Sequence, residues 1–121
     1  MSQGTSYNNV PINLGDQATI LGAVFSITGS APSTASVVVT EMIGGGTFTC
    51  QANDCTVAQH DDNGTALSMN GKLFTTTRRV SVTGRVTGIS GSGPTAILTV
   101  LLDHSGLSVT VTAASTQSNG A

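Results

Sequence analysis

A chain of 121 residues with a formal net charge of −2 has room for one domain with its own hydrophobic core. Only 8% of its residues are charged, against about 25% in an average soluble domain, and there is no basic cluster beyond Arg78 and Arg79. That composition lacks the positive footprint that nucleic acid or an anionic membrane requires, so neither is an expected partner.

The opening "MSQGTSYNNV" has neither a basic region nor an apolar run, so no signal peptide is expected. "VPINLGDQ" (10–17) predicts a short edge strand, because Pro11 has no N–H to give to a ladder. "ATILGAVFSIT" (18–28) predicts a long strand with Ile20, Val24 and Ser26 on one face and Leu21, Ala23, Phe25 and Ile27 on the other. Its apolar run is far too short to span a bilayer. "ASVVVTEMI" (35–43) follows, with Val37, Val39 and Ile43 on one face and Val38 and Met42 on the other. "TFTC" (47–50) and "CTVAQ" (55–59) predict a hairpin around the "QAND" tip, and "HDDNG" (60–64) a turn. "TALSM" (65–69) reads as a short strand or a turn of helix.

In "LFTTTRRVSVTGRVTGI" (73–89), Val80, Val82 and Val86 share the inward face, while Arg79, Ser81, Thr83 and Arg85 face out. Gly84 interrupts the inward row and marks a bulge or a close backbone approach. "TAILTVLLD" (95–103) is almost continuously apolar and predicts a central strand, and "LSVTVTA" (107–113) closes the meander. The fold class is therefore all-β: a single antiparallel β-sandwich, immunoglobulin-like or jelly-roll, of seven to nine short strands. No repeat of fixed period stands out. The expected organisation is an N-terminal arm and edge strand (1–16), a sandwich domain (17–114) and a polar tail (115–121).

"CQANDC" (50–55) is the stretch that most resembles chemistry. Redox pairs favour C-x-x-C at a helix N-terminus, and this spacing and strand context differ. A zinc site from Cys50, Cys55, His60 and His104 matches no common structural spacing. The preferred reading is a disulfide between Cys50 and Cys55 across a hairpin tip, worth about 2 kcal/mol by loop closure, with two free thiols as the alternative. His60, Asp61 and Asp62 could join Asp103 and His104 in a metal site if their turns met, but Asp and His are common in turns for backbone reasons alone. "GISGSGP" (88–94) is followed by Pro94 and a strand rather than the helix of a phosphate loop. With no nucleophile elbow and the acidic residues scattered over turns and edges, no enzyme, metal or cofactor is expected. Arg79 and Arg85, sharing a face with Ser81 and Thr83, form either a solvated face or a contact strip against an acidic surface or a neighbouring copy.

In "RRVSVTGRVTG" (78–88), "TAILTVLLDHSGLSVTVTA" (95–113) and the Gly/Thr/Ser-rich, charge-poor character of the whole, the chain resembles the small decoration (cement) proteins of tailed-phage capsids. The resemblance implies a homotrimer on the virion surface, bridging copies of the major capsid protein through extended terminal arms. "MSQGTSYNNVPINLG" (1–15) and "STQSNGA" (115–121) would be those arms, and Tyr7, Val10, Pro11, Ile12, Arg79 and Arg85 the candidate interface residues. Two other readings stand beside it. One is an extracellular or virion-fibre ligand-binding module of lectin or adhesin type, for which the absence of Trp and the single Tyr are unfavourable. The other is a filament subunit that polymerises by donating a terminal strand.

Overall fold

The computed structural model describes residues 3–28, 34–44, 46–57 and 79–120. The period-2 patterning produces the expected all-β fold. The strands are β1 (Gln3–Thr5), β2 (Pro11–Ile12), β3 (Gln17–Thr28), β4 (Ser36–Glu41), β5 (Thr47–Gln51), β6 (Cys55–Val57), β7 (Arg79–Ser90), β8 (Ser92–Gly93), β9 (Ile97–Leu102), β10 (Ser108–Thr112) and β11 (Thr116–Ser118). Single 3-10 turns at Ala52–Asp54 and Ala113–Ser115 join β5 to β6 and β10 to β11. Among the described residues no helix is long and apolar enough to cross a membrane.

Eight strands form one antiparallel sheet in the order β10-β9-β7-β3-β4-β5, with β11 added to β3 and β6 to β7. The sheet curls until its end strands, β5 and β10, lie against each other, giving a sandwich closed almost to a barrel. Alternate side chains of every strand point into the enclosed space, where Ile20, Val37, Val39, Val82, Leu98 and Val100 are fully buried. A small sheet caps the body: β1 pairs antiparallel with the edge strand β2 and parallel with β8.

No repeat of fixed period stands out in the sequence, but the sheet contains one. The run β3-β4-β5, 3-10 turn, β6 has the same pairing as β7-β9-β10, 3-10 turn, β11. β3 and β7 run antiparallel with Ile20 opposite Val82 at the centre of the ladder, and on either side Gln17 faces Arg85 and Ala23 faces Arg79. The register is symmetric about that central pair. β4 and β5 extend the sheet beyond β3 as β9 and β10 extend it beyond β7, with matching ladders. Each half then hands its last strand to the other: β6 pairs with β7, and β11 with β3. The chain is thus organised about an internal pseudo-two-fold axis.

The two long strands also share their irregularities. The register of β3 shifts between Val24 and Ser26, and that of β7 between Val86 and Gly88, leaving Phe25 and Thr87 unpaired as bulge residues. Gly22 and Gly84 occupy equivalent places. A Cβ on Gly22 would lie 2.5 Å from the Thr40 carbonyl oxygen and 2.6 Å from Val39 Cγ1, and one on Gly84 would lie 2.5 Å from Leu101 O and 2.6 Å from Val100 Cγ1. Gly84 is therefore a close backbone approach, with the bulge three residues further on.

Several local expectations change. The described residues form eleven strands rather than seven to nine, and β3 and β7 are 12 residues each, β3 as long as the 18–28 run predicts. β9 is interior, between β7 and β10, yet only Leu98, Val100 and Leu102 are buried while Ile97 and Leu101 face out. Ile43 lies beyond the end of β4 and is exposed instead of sharing the buried face of Val37 and Val39. "CQANDC" is no hairpin: β5 pairs with β4 and β6 with β7, so the 3-10 turn carries the chain between two different neighbours. The candidate arms lie on the body, residues 3–12 in the small sheet and 116–118 as β11. Beyond β11, the Gln17 N–H donates to Gly120 O and the Asn119 N–H to Gln17 O, both at 2.7 Å.

Because the two glycines are equivalent, Gly22→Ala and Gly84→Ala should each cost about 1–3 kcal/mol by overpacking against backbone. The two losses should be similar, and denaturant unfolding midpoints of the two variants check both points.

Candidate interaction surface

The buried carboxylates hold the fold together. Asp16 Oδ2 accepts the Asn13 N–H and the Ser118 hydroxyl, both at 2.9 Å, which ties the β2–β3 turn to β11. Glu41 Oε1 accepts the Thr112 N–H at 2.8 Å and the Thr112 hydroxyl at 2.5 Å, joining the end of β4 to the end of β10. Asp54 Oδ2 accepts the Gln51 N–H at 3.0 Å, and its Oδ1 reaches the Ser105 N–H of the opposite half at 2.9 Å. Ser115, the equivalent of Asp54, returns the contact: its Oγ accepts the Ile43 N–H at 3.0 Å and donates to the Ile43 carbonyl. These reciprocal clasps close the gap between β5 and β10, and they satisfy backbone groups at both ends of it.

Asp103 and His104 form the exposed turn after β9, where Asp103 Oδ2 accepts from Gln17 Nε2 at 2.5 Å. Their imagined partners His60, Asp61 and Asp62, with the 60–64 turn and the 65–69 segment, lie outside the described residues. Among the described residues no group of three or more His, Cys, Asp or Glu is placed to hold a metal ion. Cys50 and Cys55 are both buried, with their Sγ atoms 3.5 Å apart.

What the surface offers instead is apolar area with few charges. Phe25, the bulge residue of β3, is 73% exposed, and Leu14 in the β2–β3 turn is 64% exposed. Met42 and Ile43 add to this area beyond β4, and Ile97, Leu101 and Leu107 around β9 and its turn. Close approach at Gly22 leaves a shallow groove of about 570 Å³ above β3 and β4, with Leu21, Ala23 and Met42 along it and Tyr7 and Arg79 contributing to its walls. Tyr7 is anchored there by its N–H to Thr116 O and its hydroxyl to Gln117 Oε1, both at 3.3 Å.

The candidate interface residues divide accordingly. Tyr7, Val10, Pro11 and Arg79 are exposed and remain available to a partner. Ile12 does not, because it is fully buried and closes one end of the core. Arg85 is exposed, but its Nη1 donates to Gly15 O at 2.5 Å, so it pins the β2–β3 turn. Phe25 and Leu14 were missed as surface residues: alternation puts Phe25 on the face opposite Val24, but a strand apolar on both faces does not show which of them meets solvent. Compared with protein-family models, with curated proteins and with solved structures, the chain matches none.

Asp54→Ala removes the acceptor of two N–H groups at once. With each orphaned donor costing about 1–3 kcal/mol, the expected loss is about 2–6 kcal/mol, and hydrogen exchange at the Gln51 and Ser105 amides should accelerate more than at β3.

Proposed function

We propose that this chain is a non-enzymatic structural protein that binds and stabilises a viral capsid lattice, as a decoration or cement protein, acting as a homotrimer against the major capsid protein. The observation that carries the reading is the outer surface, where large apolar side chains, Phe25 and Leu14 above all, stand on a closed sheet with very few charges. An interface of that kind loses little to desolvation when covered, and Thr and Ser side chains can hydrogen-bond across it without stranding a charge. A rigid body suits a lattice clamp, because little ordering entropy is lost on docking.

The test uses particles carrying the protein and the same particles stripped of it. Stripping should lower the temperature at which the capsids rupture, and adding back purified protein should restore it; unchanged heat resistance would overturn the proposal. Phe25→Ser should weaken rebinding at least about tenfold, as for loss of an apolar anchor, while the unfolding temperature of the free protein stays close to wild type. Light scattering on the free or released protein should return the mass of a trimer.

The groove beside Tyr7 favours a second reading, a ligand-binding module. It has an apolar floor, with a phenol ring and a guanidinium among the side chains that line it. Reproducible hits on a glycan array, lost in Tyr7→Ala, would support this reading over the lattice.

A further inference from the structure

We propose that Cys50 and Cys55 are a modification site, an intramolecular disulfide made while the chain folds, and that the closed sheet then preserves whichever redox state the pair had when it closed. The two Sγ atoms are 3.5 Å apart, so bonding requires an approach of about 1.5 Å across the 3-10 turn. Cys50 sits on β5 opposite Val37 and Cys55 on β6 opposite Val82, so the bond would tie together strands that pair with different neighbours.

The pseudo-symmetry supplies an internal control. The equivalent positions in the second half hold Val111 and Thr116, both buried, so the site is filled there without sulfur. Thr116 even repeats a contact: its Oγ1 donates to Thr112 O at 3.0 Å, as Cys55 Sγ does to Gln51 O at 3.8 Å. The fold therefore does not require two thiols here, and their facing placement in one half only is an addition to the shared frame.

Burial decides when the bond can form. Cys50 and Cys55 are 1% and 7% exposed, which shields both sulfurs from a disulfide reagent in the folded protein. The hydrogen bond with the Cys50 thiol, followed by burial, pushes the Cys55 thiol well above its ordinary range, so the attacking thiolate is scarce. Glutathione disulfide is a sufficient oxidant. A thiolate of the pair attacks one of its sulfurs and releases a glutathione thiolate. The second protein thiolate then attacks the mixed disulfide and releases the other. Two protein thiols are oxidised, two glutathione thiols are formed, and the protein loses two hydrogens.

The experiment compares two samples of the full-length, reduced chain in one glutathione disulfide buffer. One is added folded, and the other is refolded from denaturant in that buffer. Intact mass and thiol titration should find the disulfide in the refolded sample, while the folded sample acquires it more slowly by at least about tenfold. Two free thiols after oxidative refolding would overturn the disulfide, and equal rates in both samples would overturn the sealing. The double variant Cys50→Val with Cys55→Thr, which copies the second half, should fold and show no mass change in either arm. If that variant failed to fold, the wild-type comparison would still decide.

Discussion

The structure depends on the ladder between β3 and β7. The register of these two long strands is symmetric about Ile20 and Val82, and everything else is placed relative to that centre. The outer ends of both strands carry the added hairpins, and their inner ends receive the strands handed over from the opposite half. A shift of one residue in this register would set the buried residues of one strand against the exposed residues of the other, turning one whole set, that of Ile20 or that of Val82, outward. Glycine at 22 and 84 lets the neighbouring strands, β4 and β9, press onto the pair where a side chain would hold them off.

Closure of the sheet is a separate matter, achieved with polar groups. An open sheet of this length would end in two strands with unpaired backbone groups, an invitation to edge-to-edge association. Here the two ends are brought together by Asp54 and Ser115 reaching across to opposite loops, and by Glu41 binding the end of β10. Three of the chain's six acidic residues, Asp16, Glu41 and Asp54, are thus placed where backbone donors need acceptors. Outside, the protein keeps a low-charge face with Phe25 and Leu14 standing free, which is the feature that bears on a partner.

Much of this was legible in the sequence. Alternation in "RVSVTGRV" identifies the buried valines of β7, and Gly84 in that row announces the close approach found there. Pro11 marks an edge strand. The repeat was legible as well, in "GAVFSITGSAP" (22–32) and "GRVTGISGSGP" (84–94), which share Gly, Val, Ile, Gly-Ser and Pro at matching positions. It escapes a search for short periods because the unit spans half the chain and its other strands agree only in polarity. What the sequence hides is partner choice. Periodicity says that β5 and β6 are strands but not that they pair with different neighbours, so a turn that looks like a hairpin tip is a crossover. Bulges are hidden for a related reason, since one extra residue reverses which side chains are buried without changing composition. The fate of Ile12 was equally invisible, because a polar arm conceals an anchor when only one of its residues reaches the core.

The exchange of last strands has a consequence for how the protein is made. β3 emerges early in synthesis and β4 soon covers one of its edges along 22–28, yet the 18–20 part of that edge stays open until β11 has been translated. The first half can form β3-β4-β5, but it lacks a partner for β6 until β7 appears and a cover for β3 until residues 116–118 have left the ribosome. Its contacts are long in sequence separation, so assembly should be slow and concerted rather than stepwise. A nascent chain of this protein therefore carries the 18–20 part of that β3 edge unpaired until residues 116–118 arrive, and that late pairing determines when the fold is protected from chaperones.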